Sequence, residues 1–206
     1  MRTFSVASIV AAALVVGTSP VTSQGRERGS DSLERSFNNG GRVRMDLAAG
    51  EYMITGSSAN QVRVEWSVRD ADRLWRAKAR ADVRGSLATI ETDGPSNGGL
   101  RADIRVPLKS DLDIRLSAGE LTVEGVEGNK EIDLYAGEID LDVGPPTDYR
   151  TVEASVWAGE ISARPFGISK EGLFRSVDWR GSGAYRIRVK LWAGEIRLYS
   201  SSPASR

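Results

Sequence analysis

The chain has 206 residues, no Cys and no His, and 28 Lys plus Arg balanced by 28 Asp plus Glu. The size suits one domain with a real core. Without Cys there is no disulfide staple, thiolate metal site or Cys nucleophile; without His there is no Ser-His-Asp triad, His-ligated zinc or imidazole proton shuttle. A net charge of zero argues against a nucleic-acid partner, whose binders are normally basic.

The N-terminus reads as an export signal. Arg2 is the only charge before Arg26, residues 6–16 (VASIVAAALVV) are apolar but for Ser8, and residues 17–24 (GTSPVTSQ) are small and polar. That order of charge, apolar run and small residues is that of a secretory signal peptide, with cleavage expected after Ser23. The apolar run is well short of the roughly 20 residues that span a bilayer. Residues 1–23 are therefore read as the signal. The mature protein is expected to be periplasmic or extracellular, with no integral membrane segment. Residues 24–40 are polar and lack period, which reads as a flexible lead-in with Phe37 docking near its end, and residues 201–206 read as a disordered tail.

One phrase then organises the chain. It occurs as LAAGEYMI from Leu47, LSAGELTV from Leu116, LYAGEIDL from Leu134, VWAGEISA from Val156 and LWAGEIRL from Leu191. The Ala-Gly-Glu triplets start at 49, 118, 136, 158 and 193, so successive copies lie 69, 18, 22 and 35 residues apart. The middle spacings suggest a unit of about 20 residues, with degenerate units filling the long gap and one more unit or an insertion in the last.

Within each copy the positions seven, five, three and one before the Gly are apolar: Leu112, Ile114, Leu116 and Ala118 in the second copy, Ile187, Val189, Leu191 and Ala193 in the last. Among all five copies only Lys130 breaks this row, and the positions between are polar. Such alternation belongs to a strand with one buried face. After the motif the apolar positions fall two and four residues beyond the Gly, so the inward face flips parity. The Gly-Glu pair must absorb that flip as a bulge or corner, which Gly tolerates. The expected fold is all-β: a β-solenoid or β-helix-like stack of short strands with Ala-Gly-Glu corners, over residues 41–200.

Residues 62–68 and 100–107 fit further strands. Residues 70–84 are ambiguous. Ala77, Ala79, Ala81 and Val83 alternate with charges, which favours a strand, although the composition also suits a helix.

The run 100–143 (LRADIRVPLKSDLDIRLSAGELTVEGVEGNKEIDLYAGEIDLDV) and the opening run 42–66 (RVRMDLAAGEYMITGSSANQVRVEW) resemble a bacterial adhesin-like β-strand-repeat family of unknown function, related to the head domain of proposed autotransporter adhesins. The shared pattern is strand, Gly-acidic or Gly-polar corner, strand, Gly turn. The resemblance implies a β-solenoid or β-helix-like fold in an exported protein, and it implies no catalytic residues.

Three features are candidates for function. The outward position two before each motif Gly reads Ala48, Ser117, Tyr135, Trp157 and Trp192. If rungs stack in sequence order, Tyr135 and Trp157 lie about 4.8 Å apart and Trp192 continues the column. Such a column could meet a sugar or a protein partner. Alternatively, residues 164–183, with Phe166, Phe174 and Trp179, fold back and cover it. The motif glutamates Glu51, Glu120, Glu138, Glu160 and Glu195 form a ladder that either solvates a corner, pairing with Arg or backbone N–H, or gathers Ca²⁺, although no EF-hand loop or Ca²⁺-binding repeat is present. Arg73, Arg76, Lys78, Arg80 and Arg84 with Trp75 form a basic cluster: an anion-binding patch or a charged edge strand.

No carboxylate pair is singled out for glycosidase chemistry, so an enzyme is not expected and no cofactor or metal is called for. The sequence points to a non-enzymatic envelope or extracellular module with an adhesion-like role. Tyr135, Trp157, Trp192, Arg76, Lys78 and Arg80 are its candidate interaction residues, and its partner an unidentified protein or glycan. A glycan-binding or glycan-cleaving β-helix is the alternative.

Overall fold

The computed structural model describes residues 29–94 and 99–201. The expected signal at 1–23, and residues 202–206 of the expected tail, lie outside the described residues. Within them twelve strands form a single sheet that does not close on itself. Seven are short: β1 (Gly29–Ser36), β2 (Gly41–Leu47), β3 (Gly50–Ser57), β4 (Gln61–Val68), β5 (Lys78–Arg84), β6 (Leu87–Asp93) and β7 (Leu100–Pro107). Five are long: β8 (Ser110–Glu124), β9 (Lys130–Asp142), β10 (Tyr149–Ala163), β11 (Ile168–Arg180) and β12 (Tyr185–Tyr199). The all-β expectation holds.

The repeats form the centre of the sheet. β8, β9, β12 and β10 run parallel, with their Ala-Gly-Glu triplets level: Gly119 beside Gly137, Gly137 beside Gly194, Gly194 beside Gly159. The first copy is split between β2 and β3, both of which pair with β8, and Gly50 lies level with Gly119. The motif is thus a kink inside a long strand in four copies and a break between two strands in the first. Gly119, Gly137, Gly159 and Gly194 have φ of +128°, +138°, +143° and +134°. A Cβ on any of them would overlap the carbonyl oxygen of the neighbouring motif Gly. Glycine is required twice over, for its backbone angle and for the close approach.

On either side of the kink the strands alternate as the sequence predicts. Ile114, Ile132, Ile187, Ile139, Ile161 and Ile196 are at most 1% exposed, and they belong to one continuous core. Each such side chain contributes about 1.5–3 kcal/mol by leaving water.

Two arms extend from β8. On one, β2 pairs parallel with β6 and β6 antiparallel with β5; on the other, β3 pairs parallel with β7, then β7 with β4 and β4 with β1 antiparallel. The arms approach each other again at β1 and β5 without pairing. Five of these arm strands, β3 to β7, occupy the 69-residue gap, where degenerate repeats had been expected. The final gap holds β11, an antiparallel strand that pairs with β10 along both halves.

Three expectations need correction. The copies do not stack in sequence order: β12 inserts between β9 and β10. Part of the lead-in, Gly29–Ser36, is a strand rather than a flexible segment, because its backbone pairs with β4 and Leu33 packs on the core; Phe37 is buried, as expected. Residues 70–84 divide, with a 3₁₀ turn at Ala71–Arg76 and a strand only from Lys78. The alternation begins at Ala77, which is buried, whereas the turn before it buries nothing. Ser201, at the start of the expected tail, bonds to the carboxylate of Asp142 through both its N–H and its hydroxyl.

Candidate functional site

Because the strands are in register, the outward residues two before each motif Gly fall on adjacent strands. In spatial order they are Ser117, Tyr135, Trp192 and Trp157, and Phe174 of β11 follows. Tyr135 and Trp192 lie parallel within 5° with centroids 6.0 Å apart, and Trp192 and Trp157 lie within 3° at 4.7 Å. Phe174 meets Trp157 nearly perpendicularly, at 81° and 5.5 Å. Trp192 is therefore the middle ring, not the end of the column. Aromatic contacts of this kind add about 0.5–1.5 kcal/mol each beyond burial.

The rings remain accessible: Tyr135 is 64% exposed, Trp192 47%, Trp157 41% and Phe174 71%. β11 lies beside β10 instead of folding across it, and of its rings Phe174 meets the column. Of the two readings of residues 164–183, covering or leaving open, the geometry favours the open one. Phe174 is also the sole non-glycine among the described residues with positive φ, at +52°. That conformation costs a bulky L-residue about 1–2 kcal/mol. Phe174 stands opposite Trp157 in the continuous β10–β11 register, between Val156–Arg175 and Ala158–Leu173 and level with the motif kink. Strain of this kind clusters at functional sites.

The ring orientation limits what the column can do. Parallel stacking turns the faces of Trp192 toward its two neighbours and presents ring edges to solvent. Only Tyr135 keeps an outer face open, above the small Ser117. Beside the column runs a groove of about 640 Å³. Its other wall carries Arg115, Asp133, Lys190 and Arg175. Lys190 lies 3.9 Å from Asp133, and Arg115 lies 3.9 Å from Asp46. Apolar edges thus face a row of charged side chains.

The motif glutamates stand level on adjacent strands, as a ladder. Glu51 is engaged by Arg101, and Arg197 reaches both Glu138, at 3.0 Å, and Glu195, at 3.5 Å. Those contacts, with Asp140 also on Arg197, hold both guanidinium groups above the ordinary arginine pKa, chiefly through their carboxylate hydrogen bonds. This is the Arg-paired corner weighed from sequence.

Arg76, Lys78 and Arg80 lie elsewhere, at the far side of the sheet, on the Ala71–Arg76 turn and on β5. Arg76 sits 4.8 Å over the ring of Trp75, and Arg80 lies 3.9 Å from Asp93. Lys78 stands opposite Asp93 in the β5–β6 register. β5 has one strand partner, so the charges line a sheet edge. The fold joins Tyr135, Trp157 and Trp192 into one site and leaves the basic residues apart.

Sequence reasoning assigned Phe174 only a covering role; its contact with Trp157 depends on β11 pairing edge to edge with β10, which no local pattern signals. Lys130 was visible as a break in the apolar row. It is 1% exposed and donates to Tyr149 Oη at 2.9 Å and to the Gly128 carbonyl at 3.3 Å. Burial pushes its ammonium down to about 8, against the pull of Asp142 and Asp111.

Among the described residues, no helix is long and apolar enough to cross a membrane. No protein-family model and no curated protein matches the chain. Solved structures do. A protein described as a "putative cell adhesion protein" from Clostridium sporogenes aligns with a TM-score of 0.55 at 14% identity, covering 84% of this chain and 100% of its own. A "putative adhesin" from Parabacteroides merdae aligns with a TM-score of 0.36 at 10% identity, covering 84% of this chain and 82% of its own. The first of these likenesses establishes a shared fold. The first of these proteins is described as a cell adhesion protein, in agreement with the family resemblance read from the repeats of this chain.

Proposed function

We propose that the protein is an exported, non-enzymatic β-solenoid acting in the envelope or outside the cell as an adhesion-like module, and that it holds its partner along the aromatic groove. The observation that carries this reading is the open column of Tyr135, Trp192, Trp157 and Phe174, maintained at the cost of a strained Phe174 backbone. Tyr and Trp are the residues that most often dominate binding energy, and exposed apolar surface of this kind marks interaction sites. The fold shared with the Clostridium sporogenes protein, described as a cell adhesion protein, supports the same direction.

A glycan ligand is the second reading. It draws on the free outer face of Tyr135, since sugars stack on ring faces and the other faces are occupied. One experiment separates the outcomes. The protein and its Trp157→Ala/Trp192→Ala variant are applied to a glycan array and to immobilised envelope proteins. Binding that falls at least about tenfold in the variant supports the groove, and the surface retained identifies the ligand class. Equal binding by the two proteins, with circular dichroism unchanged, overturns it.

A further inference from the structure

A second hollow opens on the same outward face, six residues before the aromatic row and about 20 Å from it along the strands. Its volume is about 210 Å³. It is lined by four outward arginines, Arg42, Arg150, Arg186 and Arg188, with the buried Lys130 beneath, against three acidic side chains, Asp111, Asp113 and Glu131.

The pairings within it are uneven. Asp113 is held by Arg44 at 3.1 Å, and Arg188 by Glu153 at 3.1 Å. Asp111 Oδ1 accepts from the Asn129 backbone N–H and from Asn129 Nδ2, both at 2.9 Å, and the buried Lys130 below adds a compensating positive charge. Asn129 Oδ1 in turn accepts the Arg186 backbone N–H at 3.0 Å, which fixes where the Arg186 side chain leaves β12. Among the described residues, no ion pair or side-chain hydrogen bond engages the guanidinium groups of Arg42, Arg150 or Arg186. They come from β2, β10 and β12. Arg42 and Arg186 stand three strand steps apart, about 14 Å at the backbone, a gap two extended arginines can close. Glu131 is exposed in the neighbouring row and can turn away from the hollow.

We propose that this hollow binds a compact oxyanion, the sulfate, phosphate or carboxylate group of a ligand, between Arg42, Arg150 and Arg186. Planar guanidinium groups present paired N–H donors that match such oxygens. The volume lies below the roughly 300–1,000 Å³ of sites for drug-sized molecules, which fits a single charged group. The site does not depend on the aromatic groove.

The test is calorimetric titration of the full chain with sodium sulfate, against sodium chloride at matched ionic strength. Saturable binding of sulfate alone is expected. Arg42→Gln and Arg186→Gln should each weaken it about tenfold or more. Arg84→Gln, on exposed β5, and Trp157→Ala/Trp192→Ala should leave it unchanged, so failure of this site and failure of the groove are distinguishable. A sulfated oligosaccharide and its desulfated counterpart separate the sources. Tighter binding of the sulfated chain than of inorganic sulfate assigns the group to a glycan, and equal affinity assigns it to the free ion. The proposal is overturned if sulfate and phosphate bind no better than chloride, or if folded R42Q and R186Q bind sulfate as the parent does. Should those variants not fold, the Nε–H resonances of Arg42, Arg150 and Arg186 in the unaltered protein decide: shifts on sulfate addition support the site, and their absence overturns it.

Discussion

Lys130 stands in a row otherwise filled by Leu112, Ile187 and Val152. Its proton ties stability to pH. The unfolded chain holds that proton up to about 10.5, while the folded protein releases it near 8. Below pH 8 both states are charged, and the full penalty of a buried ammonium falls on the fold. Between about 8 and 10.5 the unfolded state binds more protons, so stability rises with pH. The gain is on the order of 3 kcal/mol. Tyr149 acts in the opposite direction: burial, with Asp148 and Asp142 adding, raises its hydroxyl above the ordinary tyrosine value, so above pH 10 its ionisation in the unfolded chain lowers stability. Urea unfolding at pH 7.5 and 9.5 should therefore show the higher midpoint at 9.5. Lys130→Met should abolish that difference without lowering stability at pH 7.5, because an apolar side chain of similar length suits the row. A second residue-scale prediction concerns the kink. Gly137→Ala meets both a forbidden φ and the Gly119 carbonyl, and should cost about 2–5 kcal/mol in thermal unfolding.

At the scale of elements, charge explains why β12 interrupts the sequence order. β9 presents Glu131, Asp133, Glu138 and Asp140 outward, and β10 presents Glu153 and Glu160. Side by side they would set Glu131 opposite Glu153, whereas at the motif position β12 adds its own Glu195, level with Glu138 and Glu160. β12 brings Arg188, Lys190 and Arg197 between them: Arg188 takes Glu153, Lys190 takes Asp133, and Arg197 takes Asp140 and Glu138. Cross-strand opposite charges stabilise a sheet and like charges oppose it. Arg197→Glu should thus lower stability by about 1–2 kcal/mol in low salt, with the loss shrinking in 1 M NaCl, since these side chains are partly solvated. On β11, Phe174→Gly relieves a strained φ while losing one exposed ring. The variant is expected to be no less stable than its parent in thermal melts.

At the scale of the molecule, the central prediction is that the aromatic column stays open in solution. Of the five Trp, Trp66 is 7% exposed, whereas Trp75, Trp157 and Trp192 are 69%, 41% and 47% exposed. Acrylamide should quench a large accessible fraction of the fluorescence, and that fraction should shrink in the Trp157→Ala/Trp192→Ala variant. Complete shielding in the isolated protein would contradict the open groove.

The chain's local patterns determined its strands and their faces, because a period of two and a motif that flips its parity are properties of neighbouring residues. They also determined that Tyr135, Trp157 and Trp192 share an outward row, and they marked Lys130 as its inward exception. The tertiary structure alone decided which strand lies beside which. That choice is matched by charge pairing between segments distant in the chain, as in Arg197 with Glu138, 59 residues apart, and it placed Trp192 between Tyr135 and Trp157. It also decided that β11 extends the sheet instead of covering the rings, and that Arg42, Arg150 and Arg186 meet around one hollow. Sequence spacing carries no record of such neighbours, since they become adjacent only when strands distant in the chain pair edge to edge.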